Sequence, residues 1–107
     1  MNTKLYGPYT FGALNAEQTI PVPANAIDVL IQVIGTSTQT IQFQDSLDGG
    51  TTYSSIRLEA VDTGTLSNNI TAAGLFLRGG LVLRAPKLRN TGYTSGSFTV
   101  YALVRTL

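Results

Sequence analysis

Two stretches of the chain alternate apolar and polar residues beside glycines, Thr40–Ile56 and Asn90–Val104. In the first, Ile41 and Phe43 alternate with polar residues ahead of the tripeptide Asp-Gly-Gly at 48–50. Alternation with a period of two places the apolar side chains on one face of a β-strand. Glycine accepts the positive φ angles of a tight turn without steric cost. Both stretches therefore predict β-hairpins in a small antiparallel domain.

The strongest strand prediction covers Ala26–Gly35, which is apolar on both faces. One face carries Ile27, Val29, Ile31 and Val33, and the other carries Leu30 and Ile34 together with Asp28 and Gln32. A strand of this kind is typical of the centre of a sheet or of a face that a partner covers.

Further turns are predicted at Gly35–Thr38 and Tyr93–Gly96. Leu75–Leu77 and Leu81–Ala85 are predicted as two strands or as one bulged strand. Roughly seven to nine short strands, with a turn signal about every ten residues, predict an all-β fold. We expect an antiparallel β-sandwich of jelly-roll or immunoglobulin-like topology over residues 17–107.

Residues 1–16 are predicted to form an N-terminal arm, because glycines and a proline interrupt any regular element there. Its aromatic side chains need a surface to lie on. They either fold back on the core of the domain or dock on a neighbouring subunit, and the sequence leaves both open. The residues predicted to form an interface are Leu5, Tyr6, Tyr9 and Phe11.

The chain is poor in charge: 12% of its 107 residues are charged, against about 25% in typical globular proteins. Either Thr, Ser, Asn and Gln cover a polar β-surface, or much of the surface is an interface. Seven basic and six acidic residues give a net charge of +1. That balance predicts binding to neither nucleic acid nor an anionic membrane. The sequence also lacks the run of about 18 apolar residues that a membrane-spanning helix needs.

Candidate catalytic and metal-binding residues are scarce, because the chain has neither Cys nor His. This excludes disulfides, thiolate metal sites and a Ser–His–Asp triad. Asp45 and Asp48 beside glycines resemble half of a calcium loop, but no Glu follows at the required distance. Asp48 is therefore predicted to bond to the backbone of its own turn. We expect no metal, no cofactor and no enzymatic activity.

Two segments carry a family resemblance, and they have the patterns GT…TI.F..S.DGG.T…I and R…YTSG..TV. The first comprises Gly35, Thr36, Thr40, Ile41, Phe43, Ser46, Asp48, Gly49, Gly50, Thr52 and Ile56; the second comprises Arg89, Tyr93, Thr94, Ser95, Gly96, Thr99 and Val100. In the order and spacing of these segments the chain resembles small β-sandwich virion structural proteins of tailed bacteriophages and prophages. The resemblance extends from Ala26 to the C-terminus and leaves out the N-terminal arm.

The resemblance implies a virion component without enzymatic activity: a capsid decoration (cement) protein, a head fibre or a tail-associated protein. Our leading hypothesis is a decoration protein that binds the outer capsid surface and stabilises the shell. Its expected partners are the major capsid protein and further copies of itself, for example in a trimer. Because the N-terminus lacks the apolar core of a signal peptide, we expect synthesis in the host cytoplasm and a final location on the capsid surface of the virion.

Two other functions remain open. A tail, neck or baseplate protein would contact the host surface, such as a glycan, through loop aromatics including Tyr53 and Tyr93. A bacterial carbohydrate-binding module would need stacking residues, and Trp, the usual one, is absent.

Overall fold

The structure is a computed structural model that describes residues 2–23, 25–80 and 82–107. Its strands are β1 (Asn2–Phe11), β2 (Glu17–Thr19), β3 (Ala26–Asp45), β4 (Ser54–Ile56), β5 (Leu58–Ala60), β6 (Leu66–Ser67), β7 (Gly74–Arg78) and β8 (Lys87–Thr106). No helix in these residues is long and apolar enough to cross a membrane.

The strands form one antiparallel hydrogen-bonded network in the order β1-β8-β3-β7-β5-β6. The short strand β2 pairs with the first residues of β8, and β4 pairs with the last residues of β3. The two longest strands, β3 and β8, pair with each other along almost their whole length. The predicted all-β, antiparallel fold is confirmed.

The ribbon made by β3 and β8 is bent. A straight strand of 20 residues would be roughly 66 Å long, whereas the longest dimension of the molecule is 37 Å. The register of the pair shifts at Thr38/Gln39 and at Thr40/Ile41. Gly96, which pairs with Ser37 next to the first shift, has a φ angle of 83°, and Gly35, three residues before that shift, has a φ angle of 117°. Bulges of this type bend a ribbon, so the two halves enclose a core in a sandwich-like arrangement.

Apolar residues from both halves of the ribbon form one buried cluster. The faces predicted to point inward do so, with Val29, Ile31 and Val33 at most 2% exposed. From the other long strand the cluster includes Leu88, Phe98, Val100, Ala102 and Val104.

The turns predicted at Gly35–Thr38 and Tyr93–Gly96 are wrong, because both segments lie inside continuous strands. A glycine with positive φ can form a bulge as well as a turn. Leu81, the first residue of the strand predicted at 81–85, lies outside the described residues. Residues 82–85 are not in a strand.

The segment predicted as an arm contributes a strand to the sheet. Residues 2–11 form β1, which pairs with the C-terminal half of β8. Tyr6 and Phe11 are buried in the core of their own chain, and the Tyr6 hydroxyl donates a hydrogen bond of 2.9 Å to the Pro21 carbonyl. In this conformation the segment thus covers part of the core.

Candidate interaction surface

The outer face of the sheet carries a row of four leucines that crosses four adjacent strands. Leu5 on β1 lies opposite Leu103 on β8. Leu103 lies opposite Leu30 on β3, which in turn lies opposite Leu77 on β7. These four residues, here called the leucine row, lie at one level of the sheet.

The outward direction of the row follows from strand geometry. Val29 and Ile31 point into the core, so Leu30 between them points the opposite way. Phe76 on β7 packs against the core, which likewise turns Leu77 outward. Leu5 is 61% exposed and Leu77 39%.

The apolar surface continues beyond the row. Ile34 and Leu75 are 44% and 41% exposed on the same face. Toward the far edge lie Val61 and Leu66, 52% and 49% exposed, and the exposed Glu59 lies between Leu77 and Leu66 in the sheet. We call the leucine row together with Ile34, Leu75, Val61 and Leu66 the apolar face. An exposed apolar patch of this kind is typical of a binding surface.

One end of the apolar face carries an ion pair. Arg105 on β8 contacts the Asp28 carboxylate on the neighbouring strand β3. The side chain of Asp28 is 12% exposed and that of Arg105 is 51% exposed. Asp28 also accepts a hydrogen bond of 3.2 Å from the Gly80 amide, so its carboxylate is fixed while the guanidinium reaches the surface.

A shallow depression of about 320 Å³ joins the ion pair to the leucine row. It is lined by Thr3, Asp28, Val29, Leu30, Leu77, Leu103 and Arg105. The surface therefore combines a largely apolar floor with charges of both signs at one end.

The loop that resembled half a calcium site is a self-bonded turn. The Asp48 carboxylate accepts hydrogen bonds from the Ser46 hydroxyl (2.6 Å), the Thr52 amide (2.8 Å) and the Thr51 amide (3.1 Å). The Ser46 hydrogen bond and those from Thr52 are the main causes that lower the pKa of Asp48 to about 2. The prediction that Asp48 bonds to its own turn is confirmed. Within the described ranges no three His, Cys, Asp or Glu side chains cluster to hold a metal.

The tyrosines of the host-surface hypothesis are both half-buried and make contacts within the chain. The Lys87 ammonium lies 3.9 Å from the centroid of the Tyr53 ring and 2.9 Å from a carboxylate oxygen of Glu17. The hydrogen bond from Lys87 is the main cause that lowers the pKa of Glu17. The Tyr93 hydroxyl donates to the Gly96 carbonyl at 2.9 Å. Both rings thus serve the local structure of the fold.

Sequence reasoning missed a buried pair of amides at the bend. Asn90 donates to the Gln39 side-chain oxygen at 2.7 Å, and Gln39 donates to the Phe11 carbonyl at 2.8 Å. Asn90 is 0% and Gln39 5% exposed. Their hydrogen bonds tie the end of β1 to β3 and β8 where the ribbon bends. The period-two alternation could have found them, because Gln39 lies two residues before the inward-facing Ile41 and Asn90 lies two residues after the inward-facing Leu88.

The four residues predicted to form an interface lie in different environments. Leu5 belongs to the apolar face, whereas Tyr6 and Phe11 are buried in the core. Tyr9 is half-buried, and burial, followed by the nearby Tyr6, raises its pKa. That these residues contact another subunit stays a prediction.

No protein-family model matches the chain, and no curated protein matches its sequence. In three dimensions it is similar to the crystal structure of the SPBc2 prophage-derived protein YomS, with a TM-score of 0.72. The match covers 96% of this chain and 92% of that one at 13% sequence identity. Such a likeness shows that the two chains share a fold over nearly their whole length.

Proposed function

We propose that the chain is a structural protein of a tailed-bacteriophage particle, and specifically a capsid decoration protein that stabilises the shell. The observation that carries the proposal is the apolar face, which the chain leaves uncovered and which suits assembly with further copies of itself into the oligomer that binds the shell. The fold shared with a prophage-derived protein supports a phage origin.

A structural role fits the chemistry of this surface better than an enzymatic one. The apolar face is shallow, and its buried carboxylate is paired with an arginine. General acid–base or nucleophilic catalysis needs a titratable or nucleophilic group that can reach a substrate. An apolar patch on a rigid sheet instead suits protein–protein contact, because removing apolar area from water favours association without directional chemistry.

The proposed partners are the major capsid protein and further copies of the chain. A decoration protein acts by linking neighbouring shell subunits, and several contacts on one oligomer strengthen attachment through a high effective concentration. The proposed location is the outer surface of the capsid. Binding to nucleic acid or membrane forms no part of the role.

The first experiment locates the protein in the particle. Phage particles from the host that carries the gene are purified and labelled with gold-conjugated antibody against the protein. We expect label on the heads, and particles from a gene deletion should release DNA at a lower temperature. Label on tails or baseplates would support the alternative role, and particles without the protein would overturn both virion roles.

The second experiment tests binding directly. Purified protein is added to heads from the deletion strain and sedimented with them. We expect saturable binding to the heads with a fixed ratio to the major capsid protein. Recovery only in the supernatant would contradict the decoration role.

A further inference from the structure

We infer that the part of the apolar face on β1, β8, β3 and β7 is the interface with a second copy of the chain, in a dimer whose two-fold axis runs parallel to the strands between β3 and β8. The inference goes beyond the proposed virion role and does not depend on it. It rests on the register of the leucine row, on the ion pair at its end and on the area of the face.

The register makes the face complementary to itself. A two-fold axis in the plane of the interface and along the strands places each β8 over the partner's β3 at the same level. Leu103 then faces the partner's Leu30, and Leu5 at one edge faces the partner's Leu77 at the other. Both copies use the same patch, as in most closed homodimers, and the packed sheets resemble the two layers of an aligned sandwich about 10 Å apart.

The ion pair selects this axis among the possible ones. With the axis along the strands, Arg105 faces the partner's Asp28, and the partner's Arg105 faces Asp28. Four charges of alternating sign then adjoin each other. With the axis across the strands, Arg105 would face the partner's Tyr101 instead. The leucine row itself is uncharged, so a second copy meets no like charge there. A strongly charged partner would find too few opposite charges on this surface.

The area of the face suits a weak dimer. Under the proposed axis, β1 and β8 of one copy cover β7 and β3 of the other, while β5 and β6 extend past the edge strand β1. Three strands with about seven residues each and the five residues of β7, at about 4.8 Å spacing and about 3.3 Å per residue, cover roughly 410 Å² in flat projection. Two copies therefore bury roughly 820 Å², which falls in the size class of weak, transient interfaces. We expect dimers at roughly hundred-micromolar protein concentration.

Cysteine cross-linking tests the geometry, and the chain contains no Cys that would give background. Leu5→Cys and Leu77→Cys are purified separately, mixed and treated with a short bismaleimide. The proposed axis predicts a cross-linked dimer in the mixture and little in either variant alone. A dimer from Leu5→Cys alone would place the axis across the strands and overturn the proposed arrangement.

Charge substitution tests whether the face holds the dimer. Leu77→Lys puts two new cations into the interface, since a two-fold interface contains each change twice. We expect the dimer dissociation constant, measured by analytical ultracentrifugation, to rise at least about tenfold. The matched control is Leu47→Lys, at a loop residue that is 80% exposed, and it should leave the dissociation constant unchanged.

A wild-type protein that is still monomeric at hundreds of micromolar would overturn the inference. So would equal changes of the dissociation constant in the two lysine variants. If circular dichroism shows Leu77→Lys to be unfolded, Leu77→Ser is measured instead, and an unweakened Leu77→Ser dimer would likewise overturn it. These results are independent of the proposed virion role, because binding to phage heads is measured separately, by sedimentation. Dimerisation without head binding would contradict only the proposed function, and head binding by a strict monomer only the dimer.

Discussion

Both faces of β3 carry apolar residues, but the two faces differ in what covers them. On the inner face Val29, Ile31 and Val33 are at most 2% exposed, because the other half of the bent ribbon packs over them. On the outer face Ile34 is 44% exposed and Leu30 is half-buried by its neighbours in the sheet. Folding of the single chain thus buries one apolar surface and leaves the second exposed, and the second is the surface that we propose contacts another copy.

The largest expected effect on stability comes from truncating one isoleucine on each face of β3 to alanine. Ile31→Ala should lower the free energy of unfolding by about 2–5 kcal/mol, since it leaves a cavity in a closed core. Ile34→Ala should cost about 1 kcal/mol or less. Urea denaturation at low protein concentration, where the chain is monomeric, measures both. Equal costs would contradict the distinction between the faces.

The next effect concerns the bend that brings the inner surfaces together. Gly96→Ala should lower the free energy of unfolding by about 2–4 kcal/mol, because the positive φ disfavours a side chain and the Cβ clashes with β3. That Cβ would lie 2.6 Å from the Thr36 carbonyl oxygen.

The matched control for the bend is Gly49→Ala. Gly49 also has a positive φ, of 77°, but its Cβ would meet nothing within 4 Å. Its expected cost is about 1–2 kcal/mol, from the backbone conformation alone. If thermal denaturation shows the two variants to be equally stable, close packing at the bend does not restrict position 96 to glycine.

The same glycines explain how far the sequence predicts the fold. The period-two alternation around Ile31 and Val100 identified the strands and their inward faces correctly. It could not show whether Gly35 and Gly96 reverse the chain or bend a continuous strand, because positive φ serves both conformations. The difference is decided by pairing between β3 and β8, which are distant in sequence.

The candidate surface was predictable in part. Leu30 and Ile34 marked apolar area on the second face of β3, and the partner that this observation suggested stays a prediction. The leucine row itself could not be predicted, because it requires the register of four strands, and Leu5 joins it only since the N-terminal segment pairs with β8.

Buried polar residues on the inner face of β3 give a second test of the difference between its two faces. Gln39→Ala removes the acceptor of Asn90 and the donor to the Phe11 carbonyl. Buried polar groups left without partners cost about 1–3 kcal/mol. Gln32→Ala on the exposed side of the same strand should change the free energy of unfolding by about 0.5 kcal/mol or less. Chemical denaturation of both variants makes the comparison, and an equal response would mean that the amide network contributes little.

The smallest effect is expected at Asp48, which lies in a turn away from both faces. Its folded pKa of about 2 is below the ordinary value of 3.8, so its ionised form is the one that the turn stabilises. Asp48 therefore contributes stability above about pH 4, and that contribution is lost as the pH falls toward about 2. Wild type should lose thermal stability over this interval more steeply than Asp48→Asn.

Near neutral pH, Asp48→Asn should be slightly less stable than wild type, because a neutral amide accepts the Thr51 and Thr52 hydrogen bonds more weakly than a carboxylate. Asp62→Asn, a change at an exposed turn residue, is the control and should retain the wild-type slope between about pH 4 and pH 2. Thermal melting curves of wild type and both variants across this pH range test the prediction. If the thermal stability of wild type and of Asp48→Asn falls in parallel as the pH is lowered, the charge of Asp48 does not stabilise the turn.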